Sequence, residues 1–471
     1  MKKIVLKMND LNMVTSRYGK LEHASFHALE GEVTGLMGLN DSGKELAVRM
    51  ILGEAEIDWK QEQIFVDDKK IRRAADMKNL VYHITASSEG IACWTVAEYV
   101  GLMDVSWFLS KRTRQILRAE VEEQFQELGI RMDIGRKMRE LSELERRIVE
   151  IVRARKIGAR ILVIEDECEG MSGEAIGTYR RILCRAIRGR MTAILLCHSE
   201  TAASILSDCY VIFRKGRVVK KWRKDAAHPQ ESISDYLLGN TMIMKKKLLD
   251  SYARKMHGGE NVVYGIRNLK FRETEENFDF KGGEITTFVV LNNTERNRLF
   301  LALSGRSTEP ETGYILNNRV VYAPGFSDFI KNKIVSVMKS GNDFEIFEKM
   351  SVGDNLILPS LKKIPRRDYF AFSGRITRIL CRELDQEDLH SRTVIKHLTI
   401  NDHISISLGR WFVFNPRAII LYEPFTSCDA YGISIIMSYI KKFSNRGTAV
   451  IVVKSNSEYM EDISDRIFNF A

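Results

Sequence analysis

Residues 33–45 read Val33-Thr34-Gly35-Leu36-Met37-Gly38-Leu39-Asn40-Asp41-Ser42-Gly43-Lys44-Glu45, followed by the apolar-periodic run Leu46 to Leu52. Gly38, Gly43 and Lys44 fit the phosphate loop G-x-x-x-x-G-K-[ST] at every position but the last, where Glu45 stands. The physical content of that pattern is a strand that stops, a glycine turn whose backbone N–H groups surround an anion, and a helix N-terminus facing it. Lys44 adds a positive charge. Asp41 and Glu45 add negative ones, the wrong sign for a phosphate nest. Two unit charges 4 Å apart interact by about 4 kcal/mol at an effective dielectric near 20, so one inward carboxylate offsets much of what Lys44 supplies. Two readings stay open: a weakened phosphate site, or a relic that only turns a strand into a helix.

Outward from the loop, strand and helix patterns alternate. Residues 3–16 have strand character, Phe26 to Met37 continue it, and another strand is expected near Leu80 to His83. A long helical region is expected from Thr95 to Gly129, and a helix opening at Leu141-Ser142 runs through Arg155. Ile161-Leu162-Val163-Ile164 and Ala193-Ile194-Leu195-Leu196-Cys197 are all-apolar runs, as a parallel strand buried on both faces requires. The first ends in Glu165-Asp166-Glu167, the second at His198. This order predicts an α/β domain with a largely parallel sheet.

The order then repeats. Gly31-Glu32 recurs as Gly283-Glu284, an offset of 252, and Thr95 to Glu98 as Ser351 to Asp354, an offset of 256. Leu141-Ser142 recurs as Leu398-Thr399, Ile161 to Ile164 as Ala418 to Leu421, and Ser207-Asp208 as Ser464-Asp465, all at 257. A period of this size predicts duplicated domains, 1–240 and 261–471, joined by a basic linker over 241–260. At 471 residues and 44% apolar content the chain can fill two cores. No window approaches the roughly 18 consecutive apolar residues of a spanning helix. Seven scattered cysteines without a C-x-x-C pair predict reduced thiols and no metal cluster. The net charge of +10 is spread over charges of both signs with no long basic run, so nucleic acid is not the expected partner.

With these elements in place, the chain resembles the double-length ATP-binding subunits of sugar-type ABC importers. The resemblance covers nearly the whole sequence. It implies two tandem P-loop NTPase (ABC-type nucleotide-binding) domains, each with a mainly parallel core sheet, an antiparallel β portion and a helical subdomain. It implies ATP and Mg²⁺ as cofactors of the first half, with contacts from Tyr18 (an aromatic for adenine), Gly38, Asn40, Ser42, Gly43, Lys44 and Glu45. Glu165 falls at the Mg²⁺ carboxylate, Asp166 at the base that orients water, and His198 at the switch histidine. In the second half Gly409-Arg410-Trp411, Asn415 to Leu421 and Glu423-Pro424 carry the resemblance, with Glu423 at the base position, Asp429 at an aspartate that faces the partner domain, and Ser455 at the switch. An ATP site of this family is composite. It would pair Lys44, Glu165, Asp166 and His198 with Leu398 to Asp402, and Asn292 to Asn297 with Leu141 to Glu145, in an intramolecular pseudo-dimer. The family further implies membrane permease partners and a peripheral position on the cytoplasmic face of the membrane.

The departures are as specific as the matches. Glu45 replaces the hydroxyl that normally serves Mg²⁺, and Glu165-Asp166 reverses the usual Asp-Glu order. In the second loop, Val290 to Asn297, both glycines are gone and Arg296 stands for the lysine. The signature glycines are Glu143-Leu144 in one half and Ile400-Asn401 in the other, and Tyr422 replaces the second metal carboxylate. The expectation is a pseudo-ATPase with weak or absent hydrolysis. The alternatives are a working importer motor with unusual chemistry and a nucleotide-independent regulatory or scaffold protein.

Overall fold

A computed structural model describes the chain except for residues 1, 16–18, 41, 56–57, 60–61, 86–89, 102–110, 166–170, 172, 198–199, 225–232, 234–235, 238–260, 273, 339–345, 348, 364–368, 384–397, 427 and 471. The chain divides into two units, Met1–Gly239 and Asn240–Ala471, each with its own pair of sheets. The expected linker over 241–260 lies outside the described residues.

In the first unit, apolar alternation makes half-buried antiparallel strands. Strands β1 (Ile4–Thr15) and β2 (Gly19–Leu29) pair antiparallel, burying Val5, Leu6, Met8 and Leu11 from β1 and Leu21, Ala24, Phe26 and Ala28 from β2. The strand expected to run on through Met37 is broken at residues 30–32, where Gly31 adopts φ +69° and turns the chain into a second sheet. That sheet begins with β3 (Val33–Gly38). The first sheet is completed by β4 (Gln63–Val66) and β5 (Lys69–Lys70), in the order β2-β1-β4-β5. The second adds β6 (Val81–Thr85), β7 (Ile161–Glu165), β8 (Thr192–Leu196), β9 (Cys209–Arg214) and β10 (Arg217–Arg223), in the order β10-β9-β3-β8-β7-β6. All its pairings are parallel except the β9–β10 hairpin.

Successive residues of the two apolar strands point to opposite faces, as strand geometry demands. Leu162, Ile164, Ala193 and Leu195 join one cluster, with Val149 and Val152 from one helix and Leu183 from another. Ile161, Val163, Ile194 and Leu196 join the other, with Leu46 and Met50. The helices are α1 (Lys44–Ile51), α2 (Ala74–Lys78), α3 (Val96–Gly101), α4 (Lys111–Glu127), α5 (Glu143–Ile157), α6 (Gly173–Ile187) and α7 (Glu200–Leu206). The region expected to be helical from Thr95 to Gly129 thus comprises α3 and α4, with 102–110 between them outside the described residues. Arg160 grips Asp67 with two hydrogen bonds of 2.7 Å, tying the turn after β4 to the start of β7. Those bonds hold the Asp67 carboxyl below its usual range, against the opposing effect of burial.

The second unit repeats the plan. Strands β11 (Val262–Phe271), β12 (Thr274–Lys281), β14 (Gly313–Leu316) and β15 (Arg319–Tyr322) form a sheet in the order β12-β11-β14-β15. Strands β13 (Ile285–Val290), β16 (Ile334–Met338), β17 (Ala418–Tyr422), β18 (Ala449–Lys454) and β19 (Arg466–Phe470) form an all-parallel sheet in the order β16-β17-β18-β13-β19. Read from the other edge, this order matches β9-β3-β8-β7-β6 of the first unit strand for strand. Its helices are α8 (Asn293–Leu303), α9 (Phe326–Lys331), α10 (Val352–Ile357), α11 (Tyr369–Glu383), α12 (Ile400–Phe414) and α13 (Ala430–Asn445). Helix α12 ends on Asn415 at φ +56°, directly before Pro416, a left-handed stop followed by a residue unable to continue a helix.

Candidate functional site

In the first unit β3, buried along its length, ends at Gly38 and the chain re-enters a helix at Lys44. Both glycines of the turn are sterically required. A Cβ on Gly38 would lie 2.2 Å from Ser42 Oγ. One on Gly43, at φ +100°, would lie 2.5 Å from the Lys20 carbonyl oxygen. The turn is pinned by Ser42 N–H donating to Leu39 O (3.1 Å) and Gly216 N–H to Ser42 O (2.8 Å). Gly43 caps α1 and, having no side chain, leaves the cap to backbone geometry. Asn40, Ser42 and Lys44 are buried around it. Lys44 is turned inward: its ammonium donates to the Cys197 carbonyl beyond the end of β8 at 2.8 Å and lies 3.6 Å from Glu45 Oε1.

One strand further along the sheet stands Glu165, the last residue of β7. Its neighbours come from two other elements: Arg49 Nη2 of α1 lies 3.3 Å from Oε2, and His83 Nε2 of β6 lies 3.3 Å from Oε1. Arg49 also reaches Glu54 at 2.7 Å. Burial pushes the Glu165 carboxyl up, but the His83 hydrogen bond and the Arg49 charge outweigh it, and the net shift is downward. Mg²⁺ takes oxygen ligands in near-octahedral geometry and gives up water reluctantly. The two described oxygen donors in register for it, Glu45 and Glu165, are each already turned to a cation, and this donor set does not fit a Mg²⁺ as it stands. Tyr18, Asp166 and His198, the other residues expected at this site, lie outside the described residues, as does Asp41.

The equivalent loop of the second unit is built differently. Asn292 caps α8, its side-chain oxygen accepting from Thr294 N–H (2.9 Å) and Glu295 N–H (3.2 Å). Arg296 folds back over the loop and is nearly buried. It donates to the carbonyls of Val290 (2.8 Å) and Leu291 (3.2 Å) and to Asn293 Oδ1 (3.0 Å), and its Nε lies 2.9 Å from Glu423 Oε1. The amides and the positive charge that a phosphate would use are therefore engaged by the chain itself. Glu423, expected at the base position, sits at φ +43° and serves as the counter-ion of Arg296. Tyr422, whose hydroxyl is pushed up by burial, packs on Phe300 with ring centroids 4.9 Å apart.

The signature-register helices are closed off in the same manner. Ser142 and Glu145 form a capping box at the start of α5, and Arg136 pairs with Glu145 at 2.6 Å. Thr399 and Asp402 form a second box at α12. Asp429 is buried, capping α13 through Gly432 N–H (2.7 Å) and accepting from Asn401 Nδ2 (3.1 Å).

One further cluster had no sequence signal. Glu150 of α5 is buried and accepts from Tyr82 of β6 (2.5 Å) and Tyr99 of α3 (2.7 Å), with the Arg153 guanidinium 4.1 Å from the Tyr99 ring centroid. Burial, then the Glu150 carboxylate, pushes the Tyr99 hydroxyl up to about 12.

The family model described as ABC transporter matches residues 21–169, which contain the phosphate-loop turn and β7. The fold is that of an ABC-type P-loop nucleotide-binding domain, and the length accommodates two in tandem. Along nearly its whole length the chain is similar to ribose import ATP-binding protein RbsA 1 of Rubrobacter xylanophilus, 24% identical over 457 residues that cover 95% of this chain and 89% of that protein. Arabinose import ATP-binding protein AraG 1 of Burkholderia thailandensis is 24% identical over 471 residues, covering 98% and 92%. The solved structure of cbiO1 from Clostridium perfringens overlaps 53% of this chain and 96% of its own at 17% identity and a TM-score of 0.42. The chain is thus a double-length ABC ATP-binding protein homologous to sugar-importer ATPases.

Proposed function

We propose that this chain is the ATP-binding subunit of a sugar-type ABC import system, that nucleotide is held by the first unit only, and that hydrolysis is weak or absent. The observation that carries the reading is Arg296: with Asn292, it fills the second loop with the chain's own donors and acceptors. Glu45 beside Lys44 and the capped helices at Ser142 and Thr399 support the loss of hydrolysis. The ABC fold implies ATP and ordinarily Mg²⁺, and the importer relatives imply membrane permease partners on the cytoplasmic side. Among the described residues no helix is long and apolar enough to cross a membrane.

The test is ATP turnover by purified protein with Mg²⁺, wild type beside Lys44→Ala, together with nucleotide stoichiometry. The expected result is one nucleotide per chain and no turnover above the Lys44→Ala background. Two nucleotides per chain, or Mg²⁺-dependent turnover that Lys44→Ala abolishes, would refute it. The intact turn of Gly38, Gly43 and Lys44 favours a second reading, in which the first unit is a working motor. The same turnover measurement separates the two.

A further inference from the structure

We propose that the first unit captures the polyphosphate of a nucleotide without a divalent metal, because Arg49 and His83 already take up the charge of Glu165 that a metal would otherwise offset. The inference rests on the reading of the first unit as the nucleotide-holding one. It starts from a problem every such site faces. A carboxylate at the end of β7 repels phosphate unless a cation lies against it, and a bound divalent ion is commonly the largest local charge that does so.

Here the cations are covalently part of the chain. The Arg49 guanidinium comes from the last turn of α1, the helix whose first residue is Lys44, and His83 comes from the strand hydrogen-bonded to β7. They approach different oxygens of the same carboxylate, each at 3.3 Å. Glu54 draws on the opposite side of Arg49 but is more exposed than Glu165, where solvent weakens its claim. Among the described residues, Lys44 and Glu45 form a further charged pair on the same helix. A Mg²⁺ placed on Glu165 would have to displace these partners and shed water while sitting near the fixed charge of Arg49. A phosphate chain meets a carboxylate whose charge is offset in advance, near a turn whose close packing only glycine permits at Gly38 and Gly43.

The experiment is calorimetric titration of full-length protein with ATP, once in excess EDTA and once in excess Mg²⁺. For the wild type the two dissociation constants should agree within about threefold, a difference well under one decade of affinity. Arg49→Met leaves Glu165 without its permanent cation, so affinity in EDTA should fall by about tenfold or more and Mg²⁺ should restore most of it. Glu165→Gln, which removes the charge without disturbing α1, should bind ATP in EDTA at least as tightly as wild type. Wild-type binding that requires Mg²⁺ would overturn the proposal, as would equal weakening of Arg49→Met in both conditions or loss of EDTA binding in Glu165→Gln. Absence of heat in both conditions would also overturn it and leave the lack of hydrolysis standing. Mg²⁺-dependent turnover would instead reject the pseudo-ATPase reading.

Discussion

Replacing Arg296 by Met keeps an unbranched side chain of similar reach in the second loop and removes its fork of donors. The Val290 carbonyl, bonded at 2.8 Å inside the unit, loses its side-chain donor, whereas Leu291 is exposed enough for water to replace its own. Glu423, only 18% exposed, loses the guanidinium 2.9 Å away. A buried acceptor left short costs about 1–3 kcal/mol, and breaking a buried ion pair about 3–5 kcal/mol. Because Glu423 keeps some contact with water, about 3 kcal/mol in all is a reasonable sum. Native-state hydrogen exchange of β13 and β17 amides reads this directly. The slowest amides should exchange about a hundredfold faster in Arg296→Met. Arg296→Lys should recover only part, since an ammonium cannot span two carbonyls, Asn293 and Glu423 together. Glu423→Gln added to Arg296→Met should recover about 1–2 kcal/mol by removing the stranded charge. Exchange unchanged in Arg296→Met, or a double variant no better than the single, would refute this account.

Glu150→Ala strands two tyrosine hydroxyls in the core of the first unit and should cost about 3–4 kcal/mol, measured as loss of thermal or denaturant stability. Two glycines should respond with opposite signs in the same measurement. Gly43→Ala, forced against the Lys20 carbonyl at φ +100°, should lose about 2 kcal/mol and ATP binding with it, while Gly177→Ala, on α6 with nothing within 4 Å of the new methyl, should gain about 0.5–1 kcal/mol. The Asp67 carboxyl is depressed in the fold by Arg160, so its contribution is complete above its ordinary value of 3.8 and is lost as pH falls through the lower folded value. Asp67→Asn should therefore lower the melting temperature at about pH 6 and have little effect once the pH is low enough to protonate the wild-type carboxyl in both states.

Much of the architecture was legible because it rests on patterns of long range. The recurrence of Ile161 to Ile164 at Ala418 to Leu421 anticipated β7 and β17, and the strand orders of the two units agree around them. The glycine turn was legible for a steric reason: few residues other than glycine fit Gly43. Where side chains end up was not. The sequence shows Arg49 five residues after Lys44 and His83 far upstream of Glu165, and only the β6–β7 register and the direction of α1 bring them onto one carboxylate. The loss of glycines from the second loop was plain in Val290 to Asn297. That Arg296 turns back to bond the residues before it follows from packing against Glu423, 127 positions away. Likewise, Glu143-Leu144 suggested blockage of a helix end, whereas the amides there are engaged by Ser142 and Glu145.

A ligand that binds only the folded state stabilises it in proportion to the logarithm of its concentration. Arg296 does the corresponding work for the second unit, but it is tethered to the loop it fills and can never be diluted away. On the proposed reading, the folding equilibrium of that unit is therefore uncoupled from the nucleotide supply around it. On the same reading the first unit, which keeps its glycine turn, is the one whose stability rises and falls with that supply. A melting experiment across ATP concentrations would move one transition and leave the other in place.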